Sequence, residues 1–222
     1  MNNNREKEID KNSRAYKFAA GKGVMNLPNK LTLLRMIMIP VFVALFYVNF
    51  KGHYFAALAV FALASLTDFF DGRIARKYNL VTNLGKFLDP IADKVLVSSA
   101  MIILLTVPSF FTANLGAWAI VAAGCCVAVI MAREMIVSGF RMVAADAGIV
   151  IAADKIGKYK TAAQDFSVVL LLAGGGLGEF LGAHVAVTVI NYAGLAFFAL
   201  ATLLTVISGV NYLVKNSKVL KV

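Results

Sequence analysis

Six long apolar stretches occupy most of this sequence and limit the folds that the chain can adopt. Each stretch is close to the roughly 20 residues that a helix needs to cross a bilayer. The chain is 60% hydrophobic and only 15% charged, whereas a soluble domain is about half apolar and about a quarter charged. The stretches are residues 31–49, 54–70, 91–111, 115–137, 159–181 and 185–214. We therefore predict an all-α, polytopic membrane protein, a bundle of six transmembrane helices.

The apolar part of the chain has no repeat, linker or break in composition, which favours a single domain over residues 25–214. Residues 1–24 are polar and rich in Asn and Lys, and they lack the apolar core of a signal peptide. We interpret them as a basic N-terminal tail. Residues 215–222 form a short basic C-terminal tail in the same interpretation.

Positive charges lie on one side of the predicted membrane segments. Of the 22 Lys and Arg residues, only Lys51 falls in a connection on the opposite side. Because cytoplasmic connections carry an excess of Lys and Arg, we predict that both termini are cytoplasmic. This topology, with attraction to anionic lipid, accounts for the net charge of +10, which therefore does not indicate nucleic-acid binding.

Four aspartates lie inside or at the edge of the apolar stretches, where an ionised carboxylate costs about 2.5–3.5 kcal/mol and needs a partner. Residues three or four apart share a helix face, so Asp68 pairs with Asp71, and Asp89 pairs with Asp93. Two such pairs, facing each other across a helical hairpin, would form an all-oxygen site suited to Mg²⁺ or Mn²⁺. The sequence therefore predicts a divalent-metal site on the cytoplasmic side.

One face of the second apolar stretch combines a carboxylate, the space left by a glycine, and a guanidinium. Gly72 and Arg76 follow Asp68 at i+4 and i+8, and Ala75 adds a small residue beside them. This arrangement suits a diphosphate, with metal on one side, Arg76 on the other and room between. Gly85 likewise leaves space for a ligand near the backbone, although either glycine also suits helix–helix packing.

Three residues near the predicted helix starts have more than one interpretation. Asn29, which follows a proline, is a candidate cap for the first helix. Pro90 suits the first turn of the third helix, so Asp89 is predicted to be its cap as well as a metal ligand. Arg35 lies one turn inside the first stretch. Its side chain either extends to the membrane–water interface or lies with the cluster of aspartates.

A second polar group follows the fourth apolar stretch. Arg133 and Arg141 are eight residues apart and can share a helix face, and Lys158 and Lys160 come further along the chain. Such a cluster is either a simple flank of positive charge or, beside a metal site, a receptor for the phosphate of a second substrate.

The aspartates and their neighbours form one motif with fixed gaps. It reads Asp68-x-x-Asp71-Gly72-x-x-Ala75-Arg76-x8-Gly85-x3-Asp89-x3-Asp93. At all eight positions it resembles the signature of the CDP-alcohol phosphatidyltransferases. Within that family the chain is most similar to the bacterial phosphatidylglycerophosphate synthases, through residues 26–35, 133–141 and 153–161. The resemblance covers residues 25–214.

The resemblance implies a six-helix fold, usually a homodimer, with its active site at the cytoplasmic face of a bacterial plasma membrane. The implied reaction moves the phosphatidyl group of CDP-diacylglycerol to sn-glycerol 3-phosphate and releases CMP. Two divalent ions, Mg²⁺ or Mn²⁺, would bind mainly to Asp68, Asp71 and Asp89. Asp93 would lie near the ions, as a ligand and as the general base.

Further site residues follow from the same resemblance. The implied contacts with the CDP portion are Asn29, Thr32, Gly72, Ala75, Arg76 and Gly85. The candidates for the phosphate of the acceptor are Arg133, Arg141, Lys158 and Lys160.

Other functions stay open on the residues alone. The aspartate motif would act on the donor and does not distinguish between acceptors. Inositol phosphate, serine or phosphatidylglycerol could therefore replace glycerol 3-phosphate as the acceptor. A cation transporter also uses membrane carboxylates, but it buries them near the midplane, often within internal repeats that this chain lacks. A purely structural membrane protein would leave the four aspartates unexplained.

Overall fold

A computed structural model describes residues 26–78, 82–111, 116–146, 155–182 and 184–216. Over these residues the chain forms helices and no strand, which confirms the all-α prediction. The long helices are α1 Leu27–Tyr47, α2 His53–Tyr78, α3 Asn83–Leu105, α4 Trp118–Asp146, α5 Lys155–Leu181 and α6 Val185–Lys215. The predicted N-terminal tail and residues 217–222 lie outside the described residues.

Helix length and composition confirm a polytopic membrane protein. Four segments within the described residues are long and apolar enough to cross a membrane: Leu27–Tyr47, Trp118–Ala144, Ile156–Leu181 and Val185–Lys215. Large apolar side chains stay exposed on them, for example Val121 at 67% and Met135 at 73%. Such surfaces suit lipid rather than water. The apolar part of α2 is shorter, so a total of six spans stays a prediction.

Helix α1 begins earlier than the predicted cap allows. The side chain of Asn26 caps it, because Asn26 Oδ1 accepts the backbone N–H of Asn29 at 3.0 Å. Asn29 is therefore the third residue of the helix, and its prediction as the cap was wrong. Pro28 does not interrupt the helix, since a proline in the first turn has no intrahelical hydrogen bond to lose.

Helix α3 also begins earlier than predicted. Thr82 caps it, because Thr82 Oγ1 accepts the backbone N–H of Gly85 at 3.0 Å. The helix starts at Asn83, so Asp89 and Pro90 lie inside it, and the prediction of Asp89 as a cap was wrong. A proline within a membrane helix is tolerated when neighbouring groups satisfy the freed backbone.

The third helix ends before the predicted residue 111. It stops at Leu105, and Thr106 Oγ1 donates a hydrogen bond to the carbonyl of Ile103 at 2.6 Å. Pro108 disfavours helical backbone at the residue before it, which places the break in this segment.

The described parts of residues 1–42 and 59–96 form one compact unit. Phe42 and Phe61 are almost completely buried in it, with ring centroids 5.8 Å apart. Ala64 and Ala92 are fully buried as well. This unit carries the aspartate motif.

The described parts of residues 43–58 and 97–222 form the other compact unit. In it, α5 packs closely along α6. A Cβ on Gly194 would lie only 2.9 Å from the Leu171 side chain, and Ser167 Oγ donates to the Gly194 carbonyl at 3.0 Å. A Cβ on Gly174 would likewise collide with the side chain of Asn191. Small residues let the helix backbones approach, as is common in membrane bundles.

Candidate donor and acceptor sites

An ion pair joins α1 to α2 at the first aspartate of the motif. Arg35 Nη1 lies 2.6 Å from Asp68 Oδ1. The Arg35 side chain is fully buried, whereas the Asp68 side chain keeps 43% of its surface exposed. A guanidinium so placed orients the carboxylate through a charge-assisted hydrogen bond and leaves its exposed part available to a ligand. Of the two interpretations of Arg35, the one that joins it to the aspartates is confirmed.

Hydrogen bonds between side chains tie α1 to the start of α3. Asn29 is 3% exposed, and its Nδ2 and Oδ1 atoms lie 2.8 and 3.0 Å from Thr82 Oγ1. A Cβ on Gly85 would lie 2.7 Å from Asn29 Oδ1. An alanine at position 85 would therefore displace the Asn29 side chain from its place beside Thr82.

The two predicted CDP-binding residues of α1 lie inside the protein. Thr32 is fully buried, and its Oγ1 donates to the carbonyl of Pro28 at 3.2 Å. Asn29 is bonded to Thr82, as described above. Both residues support the packing of α1, and their contact with CDP stays a prediction.

At five residues of the motif, the structure describes the helical backbone only. These residues are Asp71, Gly72, Ala75, Arg76 and Asp89. Asp93 on α3 is described, and its side chain is partly buried. Among the described side chains, no three His, Cys, Asp or Glu residues come together. The predicted metal site needs Asp71 and Asp89, so it stays a prediction.

The described aspartates fit a hard divalent cation. Carboxylate oxygens are ligands that Mg²⁺ and Mn²⁺ prefer, and both Asp68 and Asp93 supply them. Arg35 orients Asp68 from the buried side, while a large part of the carboxylate remains exposed. Outer partners of this kind fix the geometry of metal ligands.

In the other unit, Glu134 on α4 contacts two of the cations predicted to bind a phosphate. Glu134 Oε1 lies 3.1 Å from Arg133 Nη1 and also accepts a hydrogen bond from Lys160 Nζ on α5. The side chains of Arg133 and Lys160 are 13% and 3% exposed. The structure therefore brings these two cations together around one carboxylate.

The other two predicted cations, Arg141 and Lys158, are exposed. Arg141 Nε donates to Tyr212 Oη at 3.3 Å, which connects α4 to α6. Tyr212 is itself buried and packs edge-on against Phe140, with ring centroids 5.8 Å apart. The four predicted residues thus divide into a pair with mostly covered side chains, of which Lys160 is buried, and an exposed pair.

Three contributors to these sites were absent from the predicted site residues. Thr82 could have been found from its capping position before α3. Glu134 is adjacent to Arg133 in the sequence, and a carboxylate among cations could have indicated that it pairs with them. Tyr212 lies 71 residues from Arg141, so no local spacing connects them.

Gly85→Ala is expected to destabilise the protein by about 1–3 kcal/mol, because an added methyl overpacks a hydrogen-bonded site. Gly139→Ala is the matched control, since Gly139 lies within α4 and an added Cβ there meets nothing within 4 Å. It is expected to leave stability unchanged or slightly raised. Thermal unfolding in detergent measures both variants, and equal stabilities would contradict the packing role of Gly85.

Comparison with known proteins agrees with the motif. The CDP-alcohol phosphatidyltransferase family pattern matches residues 25–208. A CDP-diacylglycerol–glycerol-3-phosphate 3-phosphatidyltransferase of Bacillus subtilis is 40% identical over 210 residues, which cover 89% of this chain and 98% of that protein. Proteins of the same name from Rickettsia typhi and Escherichia coli K12 are each 38% identical, over 84% and 85% of this chain and 94% and 93% of their own lengths. The chain therefore belongs to the CDP-alcohol phosphatidyltransferase family.

Proposed function

We propose that this protein transfers the phosphatidyl group of CDP-diacylglycerol to sn-glycerol 3-phosphate, giving phosphatidylglycerophosphate and CMP. One observation carries the proposal: relatives that are 38–40% identical over most of the chain are named for this reaction. The full aspartate motif, which the family uses for its common donor, supports it.

On the donor side, carboxylates would hold two divalent ions, Mg²⁺ or Mn²⁺. The proposed ligands are Asp68, Asp71, Asp89 and Asp93. When bound, the ions stabilise negative charge on the diphosphate and on the departing CMP. The contact with Arg35 leaves 43% of the Asp68 side chain exposed, which supports a role for Asp68 as a ligand.

The CDP portion is bound by residues of α2 and the adjoining helix starts. The proposed residues on α2 are Gly72, Ala75 and Arg76, since a guanidinium suits a diphosphate. Asn29, Thr32 and Gly85 complete the proposed set. The hydrogen bonds between Asn29 and Thr82 hold these helix starts in place.

The chemical step is an attack by the acceptor hydroxyl. Asp93 takes the proton from the 1-hydroxyl of glycerol 3-phosphate, acting as a general base. The hydroxyl oxygen forms a bond to the phosphatidyl phosphorus. The bond from that phosphorus to the bridging diphosphate oxygen breaks, and CMP leaves with the electron pair.

The acceptor is bound through its phosphate. The proposed cations are Arg133, Arg141, Lys158 and Lys160, and their combined charge favours a phosphorylated acceptor. Arg141 and Lys158 are exposed and accessible to a ligand. Inositol phosphate has the same anionic group, so the choice of glycerol phosphate depends on the named relatives.

We place the protein in a bacterial plasma membrane, with six spans and with the active site and both termini on the cytoplasmic side. The one-sided distribution of Lys and Arg supports this topology. A homodimer is the expected assembly, as the family resemblance implies.

The test is CMP release by the purified protein in liposomes containing CDP-diacylglycerol. Glycerol 3-phosphate, inositol phosphate, serine and phosphatidylglycerol are compared as acceptors, each with Mg²⁺, with Mn²⁺ and with a chelator. We expect release with glycerol 3-phosphate alone, abolished by the chelator. Release with a different acceptor would overturn the assignment of the acceptor, and no release from folded protein would overturn the transferase function.

A further inference from the structure

We infer that Glu134 is a positioning residue of the acceptor site, which holds Arg133 and Lys160 in place for the phosphate. This inference rests on the proposed function and adds a carboxylate to a site that otherwise consists of cations. Glu134 acts through its neighbours and is not proposed to touch the reacting atoms.

Lys160 gives the first reason. Its side chain is 3% exposed, and an ammonium at that depth is costly unless it is paired. Glu134 accepts a hydrogen bond from Lys160 Nζ across the contact between α4 and α5. The carboxylate therefore keeps a charged lysine in the protein interior, where its position is well defined.

Arg133 gives the second reason. A Cβ on Gly209 of α6 would lie 3.0 Å from Arg133 Cγ, and a Cβ on Gly157 of α5 would lie 4.0 Å from its Nη2. The two glycines thus leave a passage for the arginine side chain. Packing fixes its aliphatic part, and Glu134 fixes the guanidinium through the 3.1 Å contact.

The charges explain why a carboxylate belongs among phosphate-binding cations. Two positive groups around one oxygen would repel each other in the absence of a ligand, and Glu134 offsets that repulsion. The two cations retain one net positive charge with Glu134 in place. A site that is preorganised in this way loses less side-chain conformational entropy when the phosphate binds.

Glu134→Gln keeps the shape of the side chain and removes its charge. We expect the KM for glycerol 3-phosphate to rise about tenfold or more, the factor for loss of a charged hydrogen bond. The value of kcat and the KM for CDP-diacylglycerol should stay within about twofold of wild type. A general loss of kcat with both KM values changed would indicate a purely structural role and overturn the inference.

Glu179→Gln is the matched control. The Glu179 side chain is 18% exposed, the same as that of Glu134, and its Oε1 lies 3.0 Å from His53 Nε2. The substitution therefore removes an equally buried carboxylate from a contact with a histidine outside the proposed sites. We expect an unchanged KM for glycerol 3-phosphate, and a rise equal to that of Glu134→Gln would overturn the inference.

A double variant tests whether Glu134 acts through Lys160. If it does, Glu134→Gln combined with Lys160→Met raises the KM by less than the product of the two single effects. A full product would show independent contributions and overturn the inference for Lys160. If Glu134→Gln does not fold, Glu134→Asp carries the test, because its shorter side chain should give an intermediate rise in KM. An unchanged KM in that variant would contradict the positioning role.

The same assay separates the two proposals. A wild-type protein that is inactive with glycerol 3-phosphate contradicts the proposed function. A wild-type protein that is active, with a normal KM in Glu134→Gln, overturns only the role of Glu134.

Discussion

Asp93→Asn is expected to lower kcat about 10²–10⁴-fold, the usual contribution of a general base. Asparagine has nearly the same shape and keeps one hard oxygen, but it does not accept a proton at neutral pH. Binding of CDP-diacylglycerol and of the divalent ions should therefore persist. The measurements are single-turnover CMP release and equilibrium binding of the donor, both on the same preparation.

Asp93→Glu provides the conservative comparison. It keeps a carboxylate but displaces it by one methylene, so we expect an activity between those of the wild type and Asp93→Asn. A wild-type rate in Asp93→Asn would rule out Asp93 as the base. Loss of donor binding in that variant would instead assign Asp93 to the binding of CDP-diacylglycerol.

Arg35→Met is expected to lower kcat/KM about 10- to 100-fold, as is typical when an outer partner of a metal ligand, the role proposed for Asp68, is removed. Methionine fills much of the buried space that the fully buried arginine occupies, and the substitution removes the 2.6 Å contact with Asp68. A higher concentration of Mg²⁺ or Mn²⁺ should be needed for half-maximal CMP release. Titration of both ions measures this effect.

Arg35→Lys distinguishes charge from geometry. An ammonium restores the positive charge but not the planar guanidinium that suits a carboxylate, so only partial recovery is expected. Full recovery would mean that charge alone matters at this position. A normal rate and a normal metal requirement in Arg35→Met would contradict the orienting role.

Much of the fold could be predicted from the pattern of apolar stretches, because a bilayer fixes helix length. The helix starts were less predictable, since each depends on one side chain that caps the backbone. Asn26 caps α1 and Thr82 caps α3, whereas a proline nearby had favoured later starts. The early end of α3 follows from Pro108, which hydropathy alone does not reveal.

The aspartates could be grouped from the sequence because they are close along the chain and helical spacing relates them, and their joint role as a metal site stays a prediction. The partners of these residues could not be predicted. Arg35 and Asp68 are 33 residues apart, and only packing of α1 against α2 brings them together. The unequal burial of Lys158 and Lys160 also depends on where α5 packs, although both carry the same charge.

The contact between Arg35 and Asp68 has a consequence for biosynthesis. Arg35 is synthesised 33 residues before its partner, which at about 5–20 residues per second is a delay of about two to seven seconds. During that time the contact between Arg35 and Asp68 cannot form. The contact that buries Arg35 against Asp68 therefore forms only after α2 has been synthesised.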